Sequence, residues 1–278
     1  MGKLYLVGTP IGNLQDMTLR AAETLKQADF IAAEDTRVSQ KILNHLGISK
    51  PMVSYYEHNR RARGEEILKR IQAGETCALV TDAGMPAISD PGEDLVALCG
   101  ENGIEVLVIP GPCAAVCALA ASGLPSGRWC FEGFLSTAKK SRQAHLQALK
   151  GETRTMIFYE APHKLRATLA DLCRTFGADR RLSISRELTK IHEECRRTTL
   201  GEAVAYYEET NPKGEFVLVV EGAPETDGED NLTLEEAYPL VEKLVEHGET
   251  WKDAVKMVSA QAGIKKNALY QYVLSRQK

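Results

Sequence analysis

The sequence predicts two α/β domains followed by a small C-terminal helical domain, and three observations predict it. Residues 1–122 alternate short apolar runs with longer helical patterns, as strands and helices do in a mostly parallel sheet. A second alternation of this kind occupies 128–222. The remainder, 232–278, carries a helical pattern throughout. A chain of 278 residues, 44% hydrophobic and 26% charged, has the composition of a globular protein and the length of about two domains.

In the first domain, strands are expected at 3–7, 30–33, 52–55, 77–80 and 104–109, with helices at 16–28, 37–46, 60–73, 92–102 and 113–122. Three of these strands run into Gly- and Pro-rich loops. The first meets Gly8-Thr9-Pro10-Ile11-Gly12-Asn13, and the run 77–80 meets the loop from Thr81 to Gly92. The run 104–109 meets Pro110-Gly111-Pro112-Cys113-Ala114. In open α/β sheets, ligands bind beyond the carboxyl ends of the strands. Gly84 and Gly92 admit close backbone approach, while Pro86 and Pro91 fix φ. An ordinary strand-to-helix turn explains any one of these loops; three together argue a crevice. Neither a Walker A loop nor G-x-G-x-x-G is present, so the ligand is not expected to be held chiefly by phosphates.

Residues 122–127 read as a linker. In the second domain, strands are expected near 130–134, 155–159, 182–186 and 215–221, with helices at 140–149, 163–176 and 200–209. Residues 222–231, acidic and polar, read as a second linker. The tail opens with a helix cap at Thr233 ahead of Glu235 and Glu236. From Trp251 onward, a helix, a short turn with Gly263 and a second helix make a helix-turn-helix pattern. Lys252, Lys256, Lys265, Lys266, Arg276 and Lys278 stand there against Asp253 alone, which favours nucleic-acid contact over a purely structural bundle or dimerisation element. Residues 221–249 hold ten acids against Lys243 alone, so the net charge of −4 conceals oppositely charged regions.

The seven cysteines are odd in number, lie mostly in apolar runs and form no C-x-x-C. Buried free thiols in a reducing, cytoplasmic setting are expected. Cys113 and Cys117 share a helix face with no third ligand nearby, so no metal site is expected. No signal segment or membrane span is expected either.

The loops of the first domain, Ala33-Glu34-Asp35-Thr36-Arg37, Tyr56-Glu57-His58-Asn59 and Phe158-Tyr159-Glu160-Ala161-Pro162-His163 occur in an order and spacing that resemble the tetrapyrrole methylase superfamily. The similarity is to those members that modify small-subunit ribosomal RNA, and it covers essentially the whole chain. It implies two α/β domains of tetrapyrrole-methylase type with S-adenosylmethionine (SAM) in the cleft between them. It further implies a homodimer and methyl transfer to the ribose 2′-hydroxyl of a cytidine in the decoding region of 16S rRNA. Carried over by motif, the SAM site comprises Pro10, Asp82, Ala83, Gly84, Met85, Cys113, Ala114, Tyr159, Glu160, Leu188 and Glu215. Cys113 departs from the Ser or Ala common in relatives, which leaves a backbone role there.

SAM is a zwitterion with a sulfonium, and backbone groups with an apolar wall suit it. A ribose hydroxyl is a weak nucleophile that gains from a base as its proton leaves. Glu34, Asp35 and Arg37 follow a strand on the cleft side and are the catalytic candidates, Asp35 to accept or orient the hydroxyl and Arg37 to hold a phosphate. The alternative for these three is helix capping with a local ion pair. His58 and Glu160 are rival bases. RNA contacts are expected from Arg60, Arg61 and Arg63, from Lys139, Lys140 and Arg142, from Arg186 and Lys190, and from Lys265 and Lys266. A methylase of the same superfamily acting on a tetrapyrrole or other small molecule, and a non-catalytic RNA-binding protein responsive to SAM, are the competing readings.

Overall fold

The computed structural model describes residues 2–224 and 232–276, without the Gln261 side chain. The linker expected at 222–231 lies mostly outside the described residues. Residues 1–223 and 224–278 form two compact units.

The first sheet contains β1 (Leu4–Val7), β2 (Phe30–Ala33), β3 (Met52–Ser54), β4 (Cys77–Val80) and β5 (Val106–Ile109), all parallel, in the order β3-β2-β4-β1-β5. Between them run α1 (Leu19–Gln27), α2 (Thr36–His45), α3 (Arg60–Gln72) and α4 (Gly92–Glu101). Parallel sheets bury both faces, and the strands show it. Phe30, Ala32 and Leu79 pack with Ile67 and Ile71 of α3 and Leu95 of α4. Ile31, Ala33 and Val80 pack with Leu25 of α1 and Leu43 of α2 on the opposite face. The helix expected at 16–28 starts later, because Thr18 caps α1 through Ala21 N–H and a separate 3₁₀ turn occupies Leu14–Asp16.

The second sheet is mixed, with order β6-β7-β10-β8-β9. It comprises β6 (Trp129–Phe134), β7 (Thr155–Glu160), β8 (Arg181–Arg186), β9 (Glu194–Thr199) and β10 (Phe216–Val220). Only the β6–β7 pair is parallel. β9 was not among the expected strands. Its sequence, Glu-Cys-Arg-Arg-Thr-Thr, has no apolar alternation because it is an edge strand paired with β8 alone. One face carries Phe158, Ile184, Phe216 and Leu218 under α6 (Lys139–Ala148), α7 (Leu165–Phe176) and α8 (Leu200–Glu209). The other face carries Ile157, Val217 and Val219 under α5 (Ala114–Ser122), by way of Ala115, Ala118 and Leu119. Sequence order places α5 with 1–122, yet its small residues pack on the second sheet.

The second unit is a three-helix cluster of α9 (Leu234–Glu246), α10 (Trp251–Gln261) and α11 (Lys266–Arg276). Its core is Ala237, Val241, Val255, Val258, Leu269 and Val273. Thr233 and Glu236 form a capping box, as Thr233 was expected to cap. Gly263, at φ +64, turns the chain between α10 and α11.

Two glycines set how closely the loops after β1 and β5 approach. A Cβ on Gly111 would lie 2.8 Å from the Cα of Gly8. Gly111→Ala is therefore expected to lower stability by about 1–3 kcal/mol through overpacking, read as a shift in the urea midpoint.

Candidate active site

The site grows from the topology of the first sheet. β1 and β4 are neighbours, but the chain leaves β1 toward β2 and leaves β4 toward β5, on opposite sides. Adjacent parallel strands whose connections diverge make a topological switch point, where a crevice opens. Two backbone bonds tie the loops there: Thr9 N–H to Gly84 O at 2.9 Å, and Gly84 N–H to Thr9 O at 3.1 Å. The Thr9 hydroxyl also donates to Thr81 O at 3.1 Å. Gly84 sits at φ +89, so a β-branched residue there is strained whatever room it finds.

The β2 and β4 ends are knitted by side chains. Glu34 accepts from the Thr81 hydroxyl at 2.6 Å and from Asp82 N–H at 3.4 Å. Asp82 in return accepts from Asp35 N–H at 3.0 Å. Burial, then the nearby Glu34 and Asp35 carboxylates, raises the Asp82 carboxyl above its usual range against that bond. Asp90 holds the far end of the loop by accepting from Ala87, Ile88 and Gly92 N–H.

A cavity of about 640 Å³ lies between these loops and the second sheet. Ten of the eleven expected cofactor residues line it: Asp82, Ala83, Gly84 and Met85 from the β4 loop, Cys113 and Ala114 at the start of α5, Tyr159 and Glu160 of β7, Leu188 after β8 and Glu215 before β10. Pro10 does not; its neighbour Ile11 does. Sequence reasoning did not single out Ile88, Ser89, Phe134, Ser185 or Val217 as site residues, and each lines the cavity. Alternation was the available signal for Ser185 and Val217, which are partners across β8 and β10. Tyr159 accepts from Ala115 N–H at 3.1 Å, and burial pushes its hydroxyl up to about 12.

Of the catalytic candidates, Glu34 lines the cavity, whereas Asp35 and Arg37 are not on its wall. Asp35 is the N-cap of α2, accepting from Arg37 N–H at 2.8 Å. It also takes the Arg37 guanidinium at 3.0 and 2.6 Å, and these bonds hold its carboxyl down at about 2. His58 is exposed and outside the wall.

The expected RNA contacts divide. Arg61, Lys139, Lys140, Lys265 and Lys266 are exposed and make no ion pair among the described residues. Arg60 pairs with Glu57 and Asp94, Arg63 with Glu66, Arg186 with Glu194, and Lys190 with Glu187 and Glu215. Arg142 is a correction. It is 8% exposed, bonds Asp171 at 2.6 Å and the Thr168 hydroxyl at 2.8 Å, and Thr168 in turn donates to Glu160. The helical periodicity of α6 turns it inward, where it anchors a carboxylate of the cavity wall.

Five carboxylates line the cavity (Glu34, Asp82, Asp90, Glu160 and Glu215), and no Lys or Arg does. Glu215 is paired with Lys190, but the wall as a whole is rich in acceptors and carries no guanidinium or ammonium, so it suits a cationic ligand that offers N–H and O–H donors. A phosphate finds no cationic side chain of Lys or Arg on this wall. Among the described residues, no group of three or more His, Cys, Asp or Glu is arranged to hold a metal ion. No described helix is long and apolar enough to cross a membrane.

The family model described as Tetrapyrrole (Corrin/Porphyrin) Methylases matches residues 3–204. A protein of Synechocystis sp. named ribosomal RNA small subunit methyltransferase I is 51% identical over 99% of this chain and 98% of its own length. One of that name from Escherichia coli O157:H7 is 44% identical over 99% and 96%. A third, from Thermotoga maritima, is 47% identical over 222 residues, which are 80% of this chain but 99% of the relative. Among solved structures, a uroporphyrin-III C-methyl transferase from Thermus thermophilus, complexed with S-adenyl homocysteine, is similar at a TM-score of 0.55 and 20% identity, over 78% of this chain and 97% of that one. A diphthine synthase is similar at 0.61 and 13%, over 79% and 90%. At these identities the solved structures establish the fold.

Arg142→Met removes one partner of a nearly buried ion pair. It is expected to cost roughly 3 kcal/mol of stability in chemical denaturation, the lower end for such pairs because Asp171 keeps Arg174 and some solvent.

Proposed function

The chain belongs to the tetrapyrrole methylase family and, within it, to the ribosomal RNA small subunit methyltransferase I proteins; on that premise we propose that it methylates a ribose 2′-hydroxyl of 16S rRNA, at a cytidine of the decoding region. It is a SAM-dependent methyltransferase. The observation that carries the reading is the acidic cavity at the switch point, whose wall suits a sulfonium cation. SAM, when bound, supplies an electrophilic methyl group on positively charged sulfur.

The chain's own residues do the rest by positioning, which can supply much of the rate of a displacement. The 82–85 loop and the Cys113–Ala114 turn present backbone groups to the cofactor; Tyr159 and Leu188 wall it. Glu34, Asp35 and Arg37 serve the acceptor. Asp35 orients Arg37 rather than acting as the base, since a carboxyl held at about 2 takes up a proton poorly. Residues 1–122 and 128–222 act as two halves of one cleft. The 232–278 region adds RNA affinity through Lys265 and Lys266. A homodimer working in the cytoplasm completes the proposal.

Labelled SAM incubated with unmodified small ribosomal subunits is expected to mark one ribose of the RNA; label found only in a small molecule would overturn the reading. Calorimetric SAM affinity is expected to be the same with and without chelator. Gly84→Val, forced to φ +89, is expected to weaken SAM binding at least tenfold, equivalent to about 1.4 kcal/mol. Reversing charge at Lys265 and Lys266 is expected to weaken RNA binding and flatten the slope of log K against log salt by roughly 0.7–0.9 per lost phosphate contact, with SAM affinity unchanged. Asp35→Asn is expected to slow transfer without removing any limb of the pH–rate profile above about pH 4, because Asp35 stays ionised there.

A further inference from the structure

β6 is interrupted near its carboxyl end. It pairs with β7 in register as far as Phe131 opposite Ile157, and then Gly133 rather than Glu132 stands opposite Phe158. The extra residue is a β-bulge, and Gly133 adopts φ +61. In an unbroken strand, residues three apart point to opposite faces. The bulge cancels that alternation. Phe131 and Phe134 both pack edge-on against Tyr159, with ring centroids 4.9 and 5.5 Å away. Phe131 is part of the apolar cluster beneath α5, whereas Phe134 lines the cavity and remains 59% exposed.

The bulge faces the β4 loop. A Cβ on Gly133 would lie 3.8 Å from the Ser89 hydroxyl oxygen. Ala87 and Ser89 hold φ +67 and +66, and Ile88 between them lines the cavity at 48% exposure. Two large apolar side chains thus stand open to solvent beside three left-handed residues, two in the β4 loop and one at the bulge of β6. Such conformations persist where the surroundings enforce them, and they concentrate at ligand clamps. The cofactor contacts carried over by motif make no use of either side chain.

We propose that Phe134 and Ile88 form a slot for the unpaired nucleobase of the acceptor nucleotide, with the base stacked on Phe134. The inference rests on the reading of the protein as an RNA methyltransferase and deepens it. The five carboxylates of the wall disfavour phosphate at this opening, while a flat, uncharged ring with a π-face is accepted. RNA recognition of single-stranded positions uses this chemistry, with splayed bases stacked on aromatic side chains. Tyr159, itself fixed by Ala115 N–H, packs edge-on against the Phe134 ring and limits its movement.

The test uses the full chain with unmodified small ribosomal subunits, and it measures subunit binding, methyl transfer and SAM binding separately. Phe134→Ala is expected to raise both Kd and KM for subunits roughly 5- to 150-fold, the equivalent of about 1–3 kcal/mol for one base–aromatic stack. Its SAM affinity by calorimetry is expected to fall far less than its subunit affinity. Phe134→Trp is expected to restore subunit binding, and Phe134→Leu, apolar but without a π-face, to behave like Phe134→Ala. Three outcomes would overturn the slot: Leu rescuing as well as Trp, Ala binding subunits like wild type, or SAM affinity falling in parallel with subunit affinity. Wild-type protein that labels no subunit RNA would instead overturn the underlying reading.

Discussion

The site depends on one constraint: the polar groups where β1, β2 and β4 end must find partners within the protein. Parallel strands that stop side by side leave peptide groups pointing into a crevice, and buried groups without partners are costly. Here the three ends satisfy one another. Thr9 and Gly84 exchange backbone bonds, Glu34 accepts from Thr81 and Asp82, and Asp82 accepts from Asp35. The loops are therefore tied to one another without any ligand, and preorganisation of this kind lowers the ordering cost of binding. Gly8 and Gly111 let a fourth loop, the one after β5, close on the same point. The first-domain side of the cavity is the surface left over once these demands are met.

Most of the first sheet was legible because burial on both faces writes itself into sequence as short apolar runs between amphipathic helices. Strands 30–33 and 77–80 were placed to the residue for that reason. β9 was illegible because an edge strand with one partner needs no alternation. The assignment of α5 to the first half followed chain order, and nothing in Ala-Ala-Val-Cys-Ala-Leu-Ala-Ala-Ser says which sheet it packs on. Small residues permit a close approach without naming the partner.

The same division holds in the site. Backbone-presenting loops were visible from their Gly and Pro content, and most of the residues carried over by motif line the cavity. What sequence could not reveal were side chains whose direction is set by tertiary geometry. Arg142 sits in the run Lys139-Lys140-Ser141-Arg142 and reads as one more surface cation, yet the turn of α6 carries it inward to Asp171 and Thr168. Phe134 reads as the last residue of a strand, with nothing to say which face it takes until the bulge at Gly133 is known. Asp35 is both cap and ion-pair partner, the alternative its sequence position had offered, and the geometry decides for it.

An acidic cavity in an enzyme that acts on a polyanion is only superficially a conflict. Coulomb interactions between exposed charges fade over about 8–10 Å at ordinary salt, so wall and rim can carry opposite preferences. A wall of carboxylates suits a cationic cofactor and offers phosphates no cationic side chain. Association with RNA then falls to cations elsewhere, and they are unequal. Arg60, Arg63, Arg186 and Lys190 already face acids, so each brings little net field to a phosphate. Arg61, Lys139 and Lys140 carry their charge into solvent without such a partner among the described residues. On the proposed function, a substrate held by its backbone phosphates on these residues is expected to reach the cavity with its sugar and base. This separation of charge favours a splayed nucleotide over a duplex at the point of methyl transfer.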